Sequence, residues 1–404
     1  MSYRYAVLGS GRQGTAAAFD MGRFGEADVV WLLDSDLAQA ERAASRVNDL
    51  LGRRLARAAQ ADASDPHSVA GWMRREKITA FVSAVPYFFN LGLTQAAIEA
   101  GAGMTDLGGN SEVVFRQLDL TAEAAAAGIT VVPDCGQVPG MGTSLILYAL
   151  EGLDEPRDVF MWDCGLPQSP MPPWNYRLTF NIEGLTNEYF GDCVFIRDGQ
   201  TAGVPALEEL EIVEFPAPIG RLEAFTTAGG LTTAARTFAG RLRTLQNKTL
   251  RYPGNFAQLK VMQHLGLLDL KPIEVDGKPV IPRHLLHALW DPQIRADADT
   301  RDLILIRILA QGLRQGRPTD VWVDLMHVYD AATGFTAMEQ GTGWHAAILT
   351  EAIARRTTPP GVVPVESAMT GEAFVAEAAR RGFAVRREAR PSPDVSTGRE
   401  DARR

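Results

Sequence analysis

The chain has 404 residues, with 40 Lys and Arg against 49 Asp and Glu, a formal charge of −9. That length exceeds one ordinary core and points to two or three domains. A hydrophobic fraction of 46% and a charged fraction of 22% exclude a largely disordered chain, and the acidic balance argues against a general nucleic-acid binder. Cys135, Cys164 and Cys193 are too scattered for a disulfide scaffold, and no Cys/His spacing fits zinc. Met1-Ser2-Tyr3-Arg4 carries no signal-peptide pattern, and no long apolar run reads as a membrane span. The expectation is a cytoplasmic, metal-free enzyme without nucleic-acid or membrane partners.

Residues 3–134 read as alternating strands and helices. Strands are expected at Tyr5–Leu8, Val29–Leu33, Leu55–Ala61, Thr79–Ala84, Gly103–Asp106 and Ile129–Pro133. Helices lie between them, the longest over Asp36–Leu51. Such alternation means a parallel sheet with right-handed crossovers. After Pro133 the texture changes. A turn and helix over 135–150 lead to a strand-rich α+β region with Pro-rich turns. Strands are expected there at Leu210–Phe215, Lys248–Tyr252, Ile273–Val275, Leu303–Gln311 and Val321–Tyr329. Helical periodicity returns at Trp344–Arg356 and Gly371–Arg381. The expected division is 1–134, 135–340, a helical 341–389 packing back on the first unit, and a disordered tail over 390–404.

Gly9-Ser10-Gly11-Arg12-Gln13-Gly14 is a G-x-G-x-x-G loop between a strand and a helix. Asp34 lies 20 positions past Gly14, at the end of the second strand. This context makes the motif a dinucleotide-binding fingerprint. Gly9 permits the tight turn, Gly11 lets the backbone approach a pyrophosphate, and Gly14 lets helix and strand pack closely. Arg12 and Gln13 belong to the same loop. Free N–H groups at the helix start bind the phosphates. Asp34 favours NAD over NADP, because a carboxylate accepts hydrogen bonds from ribose hydroxyls and repels a 2′-phosphate. Asp36 is expected to cap the next helix. Asp62 is placed towards the adenine side, and Ala84 and Val85 along the cofactor.

Further motifs follow in order: Asp106-Leu107-Gly108-Gly109, Pro133-Asp134-Cys135-Gly136 with Pro139-Gly140-Met141, Glu223-Ala224-Phe225 with Gly229-Gly230, and Lys248-Thr249-Leu250-Arg251-Tyr252 with Gly254. With the glycine loop, this ordered set resembles the saccharopine dehydrogenase family over about residues 3–385. The resemblance implies a Rossmann domain joined to a mixed-sheet substrate and dimerisation domain, hence a homo-oligomer, at least a dimer. Within the family it lies closest to the branch that removes the ε-amine of L-lysine with NAD. The residues alone reach an NAD-dependent dehydrogenase.

Such chemistry needs a base, an anchor for the α-carboxylate and a pocket beside the nicotinamide. Asp106 is the first candidate for the substrate amine, because ligands bind outside the carboxyl ends of parallel strands. Its alternative is a helix cap or turn. Glu183 is the second acid/base candidate, its alternative a solvated loop carboxylate. An Arg fork best suits the α-carboxylate. Arg251 and Arg241 are the candidates, each with a surface-charge alternative. Tyr87, Asn90, Tyr176, Thr226 and Thr227 are further candidates to line the crevice. Arg177, Arg236 and Arg243 leave open a second carboxylate anchor, which a larger imine-linked substrate would need. His327, His345 and Cys135 read as structural, and His284 with His287 lacks a third metal ligand.

Overall fold

The computed structural model describes residues 2–392. The first half alternates β1 (Tyr3–Leu8), α1 (Arg12–Phe24), β2 (Ala27–Asp34), α2 (Leu37–Leu51), β3 (Ala56–Gln60), α3 (Pro66–Arg75), β4 (Ala80–Ser83), α4 (Asn90–Ala100), β5 (Gly103–Asp106), α5 (Ser111–Leu118), α6 (Thr121–Ala126) and β6 (Thr130–Val132). The second half begins with α7 (Gly142–Leu150), β7 (Glu155–Pro167), α8 (Ile182–Glu188), β8 (Asp192–Arg197), β9 (Gln200–Pro205), β10 (Glu211–Glu214) and β11 (Arg221–Thr226). It continues with α9 (Ala234–Thr237), β12 (Thr244–Arg251), α10 (Asn255–His264), β13 (Ile273–Val275), β14 (Lys278–Val280), α11 (Pro282–Ile294), β15 (Asp302–Arg314) and β16 (Arg317–Val328). The last segments are α12 (Ala337–Ala354), β17 (Gly361–Val362), α13 (Val365–Ala368), α14 (Gly371–Arg380) and β18 (Val385–Pro391).

The first sheet is parallel throughout, in the order β17-β6-β5-β4-β1-β2-β3. The chain moves outward from β1 to β3 and then returns to β4 on the other side. The connections after β1 and β4 therefore diverge, and a crevice opens at their carboxyl ends. The second sheet runs β10-β11-β12-β7-β15-β16-β18, with the β8–β9 hairpin attached to β12. Only β12 and β7 pair in parallel, so this sheet is mixed.

Between the sheets lies α12. All 18 of its residues are buried. It packs on α1, β4 and β5 of the first half and on β15 of the second. Sequence periodicity starts this helix at Trp344, seven residues late. The missed turns contain Gly341 and Gly343, which weaken the helical signal. A Cβ at Gly343 would sit 2.8 Å from Gln13 O and 2.9 Å from Ala17 N, so small residues there allow α12 to close on α1. Thr336 and Glu339 form a reciprocal capping box at its start.

The expected disordered tail needs correction at its near end. Residues 385–391 are not helix or tail but β18, in which Arg390 and Pro391 pair with Asp320 and Thr319. The rest of the expected tail, from residue 393, lies outside the described residues. The β8–β9 hairpin and β11 were missed as strands. Asp198-Gly199, both in the left-handed region, is the local signal for the hairpin turn. Among the described residues no helix is long and apolar enough to cross a membrane.

Arg381, just past α14, is buried between three helices. Its Nε donates to Asp20 of α1 at 2.8 and 3.0 Å, and its Nη2 to Glu351 of α12 at 2.9 Å. Its Nη1 reaches Glu377 at 2.7 Å. Burial pushes Asp20 and Glu351 up, and Arg381 pulls both back down. Removing the cation leaves the Asp20 carboxyl unpaired in the interior and Glu351 with Arg355 alone, at 3.3 Å. Arg381→Met is therefore expected to cost about 3–5 kcal/mol in denaturant unfolding. A loss below about 1 kcal/mol would mean the network does not hold the helices together.

Candidate functional site

The glycine loop sits where β1 and β4 part. Gly9 has φ 96°, and a Cβ there would lie 2.5 Å from Ala84 O. A Cβ on Gly14 would strike the Gly9 carbonyl, so both positions exclude a side chain. Gly11 differs, since a Cβ there meets nothing within 4 Å. The backbone at Gly11 is thus open to an approaching group. Gly11 is also the N-cap of α1, with no side-chain cap on the first turn. Uncapped N–H groups at a helix start form an anion site, so the loop fits a pyrophosphate.

Asp34 fixes the edge of this loop. Its Oδ2 accepts from Ser10 N at 2.8 Å and its Oδ1 from Asp36 N at 3.1 Å. Asp36 caps α2 by accepting from Ala38 N at 3.0 Å. Ala84 donates its N–H to Leu8 O at 2.7 Å, and Val85 Cγ1 lies 3.1 Å from a Cβ position on Gly9. Loop, Asp34, Ala84 and Val85 are therefore brought together. Arg12 turns away from the open backbone, with Nε 3.6 Å from Glu339 Oε1 and Nη2 donating to Asp297 O at 3.2 Å. Both polar atoms of the Gln13 amide are buried without a partner. Asp62 is exposed, and Ser64 N and Oγ donate to it at 2.9 and 2.7 Å, which lowers its pKa. It serves a turn ahead of α3.

Asp106 departs from its expected role. It is fully buried. Its Oδ1 accepts from Gly108 N at 2.8 Å and Asp134 N at 3.1 Å, and its Oδ2 from Gln117 Nε2 at 2.7 Å. Both oxygens are engaged in holding the loops after β5 and β6, and the side chain is fully buried, so it is placed as a strut rather than towards a substrate amine. Asn90 is likewise engaged, accepting from Ser83 Oγ at 2.7 Å. Tyr87 packs over Gly109, whose φ of 115° suits only glycine there.

Across the crevice, β7 and β12 present a buried polar cluster. Arg251, 4% exposed, donates to Tyr189 Oη at 2.9 Å, Thr249 Oγ1 at 2.6 Å and Leu250 O at 3.0 Å. Glu188 Oε2 lies 3.7 Å from its Nη2, and the Tyr176 ring centroid 5.0 Å from its Cζ. Burial disfavours the guanidinium charge, but Tyr189, Tyr176 and Glu188 hold its pKa above the usual value. Asp163 shares this cluster. Burial pushes its carboxyl up to about 7 against the pull of Arg251 and an Asn247 hydrogen bond, and its Oδ1 has no partner. Burial likewise pushes Glu188 to about 7. The turn at Gly229-Gly230 abuts the same face, since a Cβ on Gly230 would collide with Asn247. Four of the five Arg251 N–H groups are used within the protein and the last, on Nη2, faces Glu188 beyond hydrogen-bond length, so the cluster offers one charged donor beside the spare Asp163 acceptor.

Other candidates lie elsewhere. The Thr226 hydroxyl is spent locally, donating to Pro205 O at 2.7 Å and accepting from Glu208 N at 2.9 Å. Thr227 is buried at the start of the turn to Gly229. Arg241 is exposed and stacks near Phe238, before the start of β12. The eight-residue strand puts it roughly 23 Å or more from Arg251. Arg243 is paired with Asp158 at 2.6 Å, Arg236 lies over Phe115, and Arg177 donates to Gln293 O at 2.9 Å.

Glu183 is not a free loop carboxylate. It sits in the first turn of α8, 3.9 Å from Arg283 Nη1 and 3.5 Å from His287 Nδ1. Arg283 was not foreseen. Its side chain is fully buried, donating to Leu268 O and Asn187 Oδ1 at 2.7 and 2.8 Å, yet its Nη2 has no partner. Asp163, Glu188 and Arg283 were all missed. Only Asp163, beside Cys164-Gly165, carried a local signal, a polar residue within a strand-like run. His345 bridges Ser144 Oγ at 3.0 Å and Cys135 O at 2.8 Å, and His327 meets Gln340 Oε1 at 2.7 Å.

Parallel sheet, glycine loop and crevice together define a nicotinamide-dependent oxidoreductase of the doubly wound class. Family models agree. The saccharopine dehydrogenase NADP binding domain matches residues 5–132, and the saccharopine dehydrogenase C-terminal domain matches residues 136–383. The chain belongs to the saccharopine dehydrogenase family. Among solved structures, saccharopine dehydrogenase (L-Glu forming) from Saccharomyces cerevisiae is similar with a TM-score of 0.75 at 17% identity, over 96% of this chain and 100% of that one. It shows a shared fold. GenD2 from gentamicin A biosynthesis, in complex with NAD, matches at TM-score 0.40 and 10% identity, over 97% of each chain. A probable dehydrogenase from Thermotoga maritima matches at 0.41 and 12%, over 95% of this chain and 98% of that one.

Two glycine variants separate fold from binding. Gly11→Ala is expected to cost the apoprotein about 1 kcal/mol at most, because Ala is a poorer N-cap than Gly but its Cβ meets nothing within 4 Å. It should weaken dinucleotide binding at least tenfold in a fluorescence titration. Gly9→Ala should lower both. Unchanged binding in Gly11→Ala would place the pyrophosphate elsewhere.

Proposed function

We propose that the protein is a lysine 6-dehydrogenase, which oxidatively deaminates the ε-amine of L-lysine with NAD. The reaction takes lysine, NAD⁺ and water to 2-amino-6-oxohexanoate, ammonium, NADH and a proton, and the aldehyde closes to a cyclic imine. The observation that carries an amino-acid substrate is the buried Arg251 with Asp163, whose Oδ1 lacks a donor. Arg251 would hold the α-carboxylate and Asp163 the α-ammonium. The ε-end then extends towards the strand ends of the first sheet. Bound dinucleotide would supply the hydride acceptor there. The chain's own part is to orient the substrate and to exclude water.

The dinucleotide is proposed to be NAD, although the matching family model carries NADP in its name. Asp34 supports this, because its carboxylate stands at the β2 end beside Ser10, where a 2′-phosphate would meet a negative charge. Asp34→Ala is expected to lower the NAD-to-NADP preference on the order of tenfold or more, the scale of a charged hydrogen bond. Unchanged selectivity in kcat/KM would leave Asp34 a purely structural role.

A second reading has one observation behind it. The unpartnered Arg283 Nη2 could anchor a second carboxylate, as a saccharopine-type substrate requires. One assay separates the two. With NAD, lysine turnover yields NADH together with ammonia, whereas saccharopine oxidation yields NADH without ammonia. NADH and ammonia from lysine are the expected result. Turnover of saccharopine alone would reject the first reading.

A further inference from the structure

Asp134 follows β6 in the left-handed region, with φ 62°. It is 4% exposed. Its N–H is fixed by Asp106 Oδ1 at 3.1 Å. Its Oδ1 lies against Gly108, where a Cβ would collide with it, so that glycine makes room for the carboxyl. Its Oδ2 is buried and has no hydrogen-bond partner. A buried acceptor without a donor is costly unless it carries a proton or meets one.

The surroundings are one-sided in charge. Asp106 of β5 and Glu366 of α13 both face Asp134, and both are carboxyls. Glu366 accepts from Thr233 and Thr237 at 2.9 and 2.6 Å. Thr232, in the turn of the second half, lies near enough to oppose the rise of the Asp134 pKa, while its hydroxyl donates to Gly229 O at 2.8 Å. Cys135 beside it is buried, with its thiol pKa pushed well up by burial. His345 of α12, bonded to the Cys135 carbonyl, is pushed down to about 4 by burial and stays neutral. Burial first, then Asp106, pushes Asp134 up to about 8.

Asp34 and the α1 start mark the adenosine and pyrophosphate end of a bound dinucleotide. The nicotinamide end then lies over β4, β5 and β6, beyond which Asp134 stands. Asp106 is less suited, because both its oxygens already accept hydrogen bonds, three in all, whereas Asp134 Oδ2 accepts none. Asp163 belongs to the Arg251 cluster at the far end of the substrate.

We propose that Asp134 is the group that takes the proton from the substrate nitrogen during oxidation. This rests on the amine-dehydrogenase reading above. An N–H bond of the substrate ammonium breaks and its proton passes to Asp134 Oδ2. The nitrogen lone pair forms the C=N bond as the adjacent C–H bond breaks, its electron pair leaving as hydride to the nicotinamide. The substrate carbon is oxidised by two electrons, the dinucleotide is reduced, and Asp134 ends neutral. Asp106 acts through Asp134 as a positioning residue, holding its backbone in place.

Asp134→Asn tests this cleanly, since Asn tolerates the left-handed region and matches Asp in size. With whichever of L-lysine and saccharopine the wild type oxidises, kcat should fall on the order of 10²–10⁴-fold. Dinucleotide affinity should stay within about twofold of wild type, because this residue is not asked to bind it. In the wild type, kcat/KM should rise with pH and level above about 8, as the carboxyl loses its proton, and this rise should vanish in Asp134→Asn. Asp134→Glu should restore part of it. An Asn variant with wild-type rate and wild-type pH rise would overturn the proposal. If the wild type oxidises neither substrate, the amine-dehydrogenase reading fails. Infrared difference titration of the resting protein then decides Asp134 separately. A protonated carboxyl band that titrates near neutrality and is missing from Asp134→Asn supports it. A band unchanged by the substitution overturns it.

Discussion

Everything at the crevice depends on where α1 points, and a buried guanidinium sets that direction. Arg381 is bonded at once to Asp20 on α1 and Glu351 on α12. α1 carries the glycine loop at its start, and α12 spans the space between the sheets. A charge pair of this depth gains little net stability compared with an apolar packing of the same volume. Its effect is geometric. Three helices meet at one point, which fixes the rotation of α1 against α12. Gly343 against Gln13 and Ala17 makes the same junction close.

Carboxyls in this molecule sort by what surrounds them rather than by their place in the sequence. Asp106 accepts from two backbone N–H groups and the Gln117 amide, and Asp34 from two backbone N–H groups, so each braces the loops around it. Asp134 and Asp163 each keep one oxygen empty in a dry setting, and their ionisation is displaced towards neutral pH. Asp106 and Asp134 show the contrast at short range, since one donates order to the other through a single N–H bond. Titratable groups that are buried, displaced and incompletely bonded gather where chemistry occurs. In the proposed reading the two groups would serve opposite ends of the substrate, Asp163 the α-ammonium and Asp134 the reacting nitrogen.

Local features were legible in the sequence, and composite ones were not. The glycine loop, the alternation of strands and helices, and Asp36 as a cap all follow from neighbours within a few residues. Arg251 could be picked out because its motif is compact. Arg241 could not be separated from it, because only the length of β12 shows that the two lie at opposite ends of a strand. Thr226 looked available until Pro205 and Glu208 were seen to use its hydroxyl. Asp134 and Asp163 owe their character to burial by segments more than 80 positions away, such as Thr232 and Arg251. Glu183 and Arg283 meet across a similar gap. No pattern within a short window contains that information.

The end of the chain contributes to both sheets. β17 closes one edge of the first sheet beside β6, and β18 closes one edge of the second beside β16. During synthesis, the nucleotide-binding half therefore leaves the ribosome unfinished. It waits for α12 to cover its inner face and for a two-residue strand made more than 200 residues later. Until then β6 offers an open edge and α1 an uncovered apolar flank. The nascent chain is most exposed to mispairing in that interval, and the segment from α12 to β18 decides when it closes.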